Sequence, residues 1–444
     1  MTNPRRLNQK EIDHIKTLSD VNEKKSFIQG IIIEEFKKWR KGFITCYTSF
    51  GKGYTFGKII QGVNKKNPHF THCFVSDAKV INEQFRENYV QEWNLKHVED
   101  FVINSYIKVK KGEKRSYDCV YMDELDRFCN GVQFKKAIPL TECKALLGAT
   151  ATLTKKQIQF LEAQGLKYLF DLPIEEAVLL GLVPDYRKLN LKVELSYKDR
   201  NLYASAMDTV NRYLDTFSQV WDTSTSYNLR EIMNKSSSKK GGLMKEAAEF
   251  LEWKEGQVYG CALKWQKASQ SLEKILGENP ESIKKTVEIA NQLKGKTVIF
   301  AYNQKVANQI TELLNVSGER AVTYHTGISI NTRKQNLKRF KEEDIQFVVC
   351  VKALNRGMDL PSLENGIQQF FNSTESASQQ RFGRVCRYDV QNKGKSALLI
   401  SLYVDDFELR KVLYQSLLLR WLKISQRNQT NITWIENTQQ IFAA

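Results

Sequence analysis

The sequence predicts an α/β protein of two parallel-sheet domains joined by a mostly helical connector. Three observations carry that expectation. At 444 residues the chain exceeds what one hydrophobic core usually supports. Short β-rich apolar runs alternate with longer amphipathic stretches in two separate sets, the pattern of strand–helix units on a parallel sheet. Between the two sets the alternation stops.

The first set of apolar runs covers residues 43–48, 73–76, 101–106, 119–122 and 145–149. Segments between them carry helical spacing, as in 80–93 with Val80, Phe85, Tyr89, Val90 and Trp93. A second set covers 297–302, 321–325, 347–351, 366–371 and 397–402. From Leu195 to Trp265 strand alternation is missing, and 234–242 reads Asn-Lys-Ser-Ser-Ser-Lys-Lys-Gly-Gly, a polar loop at the tip of a helical connector. The expected division is 1–190, 191–270 and 271–444, the last ending in a tail that is helical over 410–422.

Composition narrows the function classes. Lys+Arg 67 against Asp+Glu 50 leaves +17, which suits a polyanionic partner because phosphate contacts release counterions. Cys46, Cys73, Cys119, Cys129, Cys143, Cys261, Cys350 and Cys386 form no CxxC pair and several lie in apolar runs. They read as reduced core cysteines of a cytoplasmic protein, not a disulfide framework or zinc site. His69, His72 and Cys73 lead into a strand and make a poor metal set, better explained by burial. No apolar run reaches membrane-spanning length, and the first residues lack a signal-peptide core, so no membrane partner is expected.

Five short motifs carry chemistry. The first is Thr48-Ser-Phe-Gly-Lys-Gly-Tyr-Thr55, after an apolar strand and before a helix expected from about Tyr54. A tight strand–helix turn exposes backbone N–H groups that cradle phosphates, here those of Ser49, Phe50, Gly51, Lys52, Gly53 and Tyr54. Two registers are open. Lys52 in the lysine slot places Gly53 where Ser or Thr normally meets Mg²⁺; sliding by two keeps Thr55 there but puts Tyr54 in the lysine slot. The first is favoured, since water can replace one metal ligand but nothing replaces the cation. The second motif is Val120-Tyr-Met-Asp-Glu-Leu-Asp126, whose adjacent acids suit Asp123 for Mg²⁺ and Glu124 for polarising the attacking water. In the third, Leu146-Leu-Gly-Ala-Thr-Ala-Thr152, small hydroxyl residues can hydrogen-bond the acidic motif. The fourth, Ala353-Leu-Asn-Arg-Gly-Met-Asp-Leu-Pro361, follows the run at 347–351. In the fifth, Gln380-Arg-Phe-Gly-Arg-Val-Cys-Arg387, Arg384 and Arg387 share one helix face and with Gln380 can clamp a phosphate. Taken singly, each has a plainer explanation as a turn, an acidic loop or a solvated basic face.

Taken in order, the five motifs resemble the superfamily 2 helicases, within which the phage branch-migration and restriction-type group is most similar. The resemblance runs from Gln29 to Arg387. Val75-Ser-Asp-Ala-Lys-Val-Ile-Asn-Glu-Gln84 is similar to motif Ia, Val102-Ile-Asn-Ser-Tyr106 to motif Ib, and Thr297-Val-Ile-Phe-Ala-Tyr302 to motif IV. Ile174-Glu-Glu-Ala-Val-Leu-Leu-Gly-Leu-Val-Pro184 looks like the segment that closes the first domain of DNA-repair and restriction-type members. The resemblance implies two RecA-like domains, ATP and Mg²⁺ as cofactors, and a catalytic set of Lys52, Asp123, Glu124, Gln380, Arg384 and Arg387. It further implies that Gly357 and Asp359 meet the nucleotide, and that Ser105, Tyr106, Asn355 and Arg356 meet the nucleic-acid backbone. Gln29 is the candidate for the adenine-reading glutamine. DNA, single-stranded or branched, is expected ahead of RNA. Gly53 departs from the pattern, which implies a slow ATPase unless Thr55 or water substitutes. Two alternatives stand beside this one: a nucleic-acid-binding protein with a degenerate ATPase, and the motor subunit of a restriction-type system. In the latter any nuclease would be a partner, as too little chain follows Arg387 to hold one.

Overall fold

The computed structural model describes residues 3–102, 117–129, 143–184, 186–234, 237–351, 363–370, 385, 396–404, 432–435 and 438–442. The chain divides into two compact units, the first built on residues up to Tyr186 and the second beginning at Arg187.

The first unit holds a six-stranded sheet. Its strands are β1 Lys41–Cys46, β2 His72–Ser76, β3 Val98–Val102, β4 Cys119–Asp123, β5 Ala145–Thr150 and β6 Lys167–Leu172, in the order β3-β2-β4-β5-β1-β6. Every pairing is parallel. β2 and β5 are buried at every position, so they read as continuous apolar runs rather than alternating ones. Phe43, Val75, Val120, Met122 and Leu146 form the core, closed by Leu125, Phe128 and Tyr168. Around the sheet lie α1 Gln9–Thr17, α2 Val21–Trp39, α3 Lys52–Lys66, α4 Lys79–Phe85, α5 Lys155–Ala163 and α6 Ile174–Leu179. Asn8 and Thr154 start α1 and α5 with reciprocal capping boxes, and Asp20 caps α2, each satisfying amides that the helix leaves unpaired.

The stretch 80–93, predicted as one helix, is two. α4 gives way to a π-helical turn over Arg86–Gln91. The register of β4, β5 and β1 fixes where the chemistry falls. Asp123 is level with Ala149, which is level with Ile44, so the ends of β1, β4 and β5 reach the same sheet edge. In parallel sheets ligands bind outside that carboxyl edge.

The second unit carries a seven-stranded sheet in the order β13-β7-β12-β11-β8-β10-β9. Its strands are β7 Tyr186–Val193, β8 Thr297–Phe300, β9 Ala321–Tyr324, β10 Phe347–Cys350, β11 Asn365–Gln368, β12 Ala397–Val404 and β13 Ile432–Ile435. Parallel pairing joins β13 to β7, β12 to β11, β11 to β8, β8 to β10 and β10 to β9. Ile299, Val349, Ile367 and Ile400 on the sheet pack with Ile310 and Leu314.

Helices fill the stretch between β7 and β8: α7 Tyr197–Trp221, α8 Thr225–Met233, α9 Lys240–Phe250, α10 Glu255–Gly277 and α11 Pro280–Ala290. Tyr203, Met207, Val210, Leu214, Phe217 and Trp221 recur every three or four residues along α7, giving one apolar stripe. That stripe meets Leu229, Ile232, Val258, Ala262 and Trp265 in a core of its own. The loop predicted over 234–242 is shorter than its composition implied, because Lys240, Gly241 and Gly242 already belong to α9. The tail expected to be helical over 410–422 lies outside the described residues.

Candidate active site

β1 is a buried strand, and the chain leaves it through a tight turn. Phe50 N–H donates to the Tyr47 carbonyl, and the fully buried Phe50 ring packs edge-on to Tyr47 at 5.7 Å. Ser49 and Gly51 have φ of 76° and 97°, left-handed values that strain a serine and that glycine adopts freely. From outside the turn, Lys25 Nζ donates to the Ser49 carbonyl at 3.2 Å. Gln29, buried in α2, directs its amide to the carbonyls of Phe50 and Gly51, each at 3.5 Å. The loop is therefore held through its carbonyls, and with the Phe50 amide, one of the expected phosphate donors, taken up by Tyr47, the amides left for an anion are those that open the following helix.

α3 begins at Lys52, two residues before the sequence pattern suggested, because the turn at Gly51 already points the chain into the helix. No side chain caps this terminus. Its first-turn N–H groups and positive dipole end are thus open to an anion.

β4 delivers the acids. Asp123 ends the strand, Glu124 has φ 53° and ψ 51°, and a short 3₁₀ turn follows over Leu125–Phe128. Left-handed backbone at a glutamate is strained and re-aims the side chain out of the strand direction. Asp123 Oδ1 and Glu124 Oε2 are buried with no hydrogen-bond partner among the described residues. Burial pushes Asp123 up to about 6, a rise opposed by Lys52 and reinforced by Glu124. Asp126 is likewise pushed up to about 6, chiefly by burial and then by Glu124. Burial alone would lower Lys52, but the charges of Glu124 and Asp123 outweigh it and hold the ammonium above its ordinary value. Thr150, at the end of β5, donates to Asp126 Oδ1 at 2.9 Å, so the third motif does touch the second.

The two registers of the glycine-rich turn now look different physically. Lys52 sits in the field of the acids. Tyr54 instead lies edge-on to Trp93 at 5.2 Å and to Tyr89 at 6.4 Å, with Lys58 Nζ 5.3 Å from its ring. Thr55 is fully buried and donates its hydroxyl to the Gly51 carbonyl at 3.3 Å. Gly53 has no positive φ, so a side chain there would meet no backbone strain. It would meet Tyr89 instead: an added β-carbon would stand 3.1 Å from Cε2 of that ring. One turn on, a β-carbon at Gly57 would stand 2.8 Å from the Trp93 indole. Glycine inside a helix costs about 1 kcal/mol relative to alanine. Two such glycines four residues apart make room for two aromatic rings.

Two carboxylate oxygens without partners, a lysine and a set of free helix amides suit a polyphosphate with a divalent cation. The lysine and amides match the anion; Asp123 and Glu124 match the cation and its water. Sequence reasoning placed these groups together but passed over Tyr89 and Trp93, read only as apolar helix positions. The signal was present as Gly53 and Gly57 set against Phe85, Tyr89 and Trp93, both at four-residue spacing. Of the remaining candidates, Ser105, Tyr106, Asn355, Arg356, Gly357, Asp359, Gln380, Arg384 and Arg387 lie outside the described residues. Among the described residues no cluster of three or more His, Cys, Asp or Glu side chains forms a metal site, and no helix is long and apolar enough to cross a membrane.

Residues 278–389 match the family model described as Helicase conserved C-terminal domain. DEAD-box ATP-dependent RNA helicase 22 of Oryza sativa subsp. japonica is 30% identical over 110 residues, covering 25% of this chain and 18% of that protein. The probable ATP-dependent DNA helicase RecS of Bacillus subtilis (strain 168) is 25% identical over 140 residues, covering 31% of this chain and 27% of its own length. The chain thus spans less than a third of either relative. Among solved structures, S. cerevisiae Dbp5 bound to RNA and ADP BeF3 is similar in fold, with a TM-score of 0.52 at 12% identity over 90% of this chain and 87% of that one. Over residues 278–389 the chain is thus similar to the helicase C-terminal domain, and its two parallel sheets are similar to the RecA-like fold of that solved structure.

Proposed function

We propose that the chain is an ATP-dependent helicase or translocase acting on nucleic acid, with DNA as its strand. The observation that carries this reading is the convergence of Lys52, the free first-turn amides of α3 and the unpartnered oxygens of Asp123 and Glu124 at one sheet edge. In this reading Lys52 and the amides of the turn bind the β- and γ-phosphates. Mg²⁺, when bound, neutralises phosphate charge, and Asp123 is the residue that would hold it. Glu124 orients the attacking water and accepts its proton, while Thr150 keeps Asp126 fixed beside it. Gln380, Arg384 and Arg387 are proposed as further phosphate clamps on the strength of their motif. Cytoplasmic location is part of the proposal and rests on the free cysteines, most of them buried. So is the three-part division into 1–190, 191–270 and 271–444, although β7, which begins at Tyr186, pairs in the second sheet.

DNA is favoured by the named activity of the RecS relative and by the motif resemblance; RNA is the second reading, favoured by the name of the rice relative. ATP hydrolysis measured with no nucleic acid, with single-stranded DNA, with forked DNA and with RNA decides between them. Stimulation by DNA alone supports the proposal, and stimulation by RNA alone transfers it to the second reading. Equal rates in all four would contradict a motor.

Two consequences follow. Binding to single-stranded DNA is expected to weaken by at least about tenfold between 50 and 200 mM salt, as a chain of +17 tracking phosphates must release counterions. A flat salt dependence in an anisotropy titration would argue against backbone tracking. The second concerns pH. With Asp123 raised to about 6, a cation that needs its carboxylate must displace a proton at lower pH. The Mg²⁺ concentration for half-maximal nucleotide binding is expected to rise about tenfold from pH 7 to pH 5. An unchanged requirement would remove Asp123 from the cation site. Without cation the sign reverses for stability. A carboxyl raised from 3.8 favours folding while protonated, and that contribution is lost as pH rises through about 6.

A further inference from the structure

We infer that Tyr89 supplies the hydroxyl that the glycine-rich turn lacks at Gly53, acting as a positioning residue for the metal's water shell. The inference rests on the nucleotide-binding reading above. Position 53 is the place where that reading puts a Ser or Thr beside Mg²⁺, and here it has no side chain. The space is filled: a β-carbon at Gly53 would be 3.1 Å from Cε2 and 3.8 Å from Cζ of Tyr89, the carbon that bears its hydroxyl. The ring thus stands over the first turn of α3, beside the residue that follows Lys52. Asp123 is among the charges that, after burial, Glu92 and Tyr54, hold the phenol above its ordinary value.

The ring is placed there by built structure. The π-helical turn over Arg86–Gln91 adds a residue to the helical repeat, a device that occurs often at functional sites. Phe85 stacks on Phe74 of β2 at 3.9 Å, and Tyr89 and Trp93 follow at 5.5 and 5.1 Å. Gly57 admits the indole of Trp93, and Lys58 lies 5.0 Å from it. Tyr54 closes the cluster from α3. Filling the space needs only a ring, and phenylalanine would do; the hydroxyl is the part that packing leaves unexplained.

Tyr89→Phe keeps the ring and removes only that hydroxyl. A fluorescent ATP analogue is titrated onto the intact chain in EDTA and then at rising MgCl₂. The variant is expected to need about three- to tenfold more Mg²⁺ for half-maximal binding, the scale of one lost hydrogen bond. Its affinity in EDTA and its thermal midpoint should match wild type, so that the change is confined to the metal-dependent step; a merely structural ring would leave the Mg²⁺ requirement unchanged as well. Tyr89→Ala combined with Gly53→Ser should need less Mg²⁺ than Tyr89→Ala alone, because the serine hydroxyl enters the space the ring vacates. Wild-type Mg²⁺ requirement in Tyr89→Phe overturns the inference, and so does equal loss of binding with and without the metal. Failure of the wild-type chain to bind the analogue under any condition overturns the nucleotide reading itself.

Discussion

Lys52→Ala is expected to lower ATP hydrolysis by about 100-fold or more while leaving nucleic-acid affinity within about threefold. The reason is positional. Lys52 opens α3 beside the free amides, and its ammonium is the cation that Glu124 and Asp123 face. Removing it takes away the charge that binds phosphate and leaves two buried carboxylates without a counter-charge. Part of the damage should therefore appear even without nucleotide, as weaker binding of any triphosphate. Tyr54→Phe serves as the contrast. Tyr54 belongs to the cluster with Trp93 and Tyr89, so loss of its hydroxyl should change hydrolysis by less than about threefold. If Tyr54→Phe abolished hydrolysis and Lys52→Ala did not, the other register of the turn would be the working one.

Glu124→Gln should separate binding from chemistry. The substitution preserves shape, so the left-handed backbone at position 124 and the 3₁₀ turn after it have no new strain to absorb. What it removes is the carboxylate that orients water and takes its proton, a loss of about 100- to 10,000-fold in kcat. Binding of ATP should remain within about threefold of wild type, since phosphate is held by the turn and not by this side chain. Single-turnover hydrolysis with a separate binding titration checks both halves. A fall in affinity equal to the fall in rate would make Glu124 a binding group instead.

Much of this site could be read from the chain because it is local. A buried strand, a glycine-rich turn and a helix lie in consecutive residues, and so do the apolar run and acids from Val120 to Asp126. Strands β1, β2, β4, β5, β8 and β10 were equally legible, since burial on both faces makes them continuous apolar runs. β7 was not. Arg187, Lys188, Asn190 and Lys192 make it look like a polar loop, yet Lys188 and Asn190 are buried within the sheet. Leu189, Leu191 and Val193 do alternate into the core, but the polar residues between them obscure the pattern. The π turn was hidden for a related reason. The spacing of Phe85, Tyr89 and Trp93 fits an ordinary helix, and only contact with Gly53 and Gly57 shows what the added residue accomplishes.

The open terminus of α3, Lys52 and the acids of β4 should form one triphosphate site. Calorimetric titration of Mg²⁺ and a non-hydrolysable ATP analogue into wild type, Lys52→Ala and Glu124→Gln tests it most directly. One site per chain is expected in wild type and Glu124→Gln, with binding at least about tenfold weaker in Lys52→Ala. Equal affinity in wild type and Lys52→Ala would contradict it.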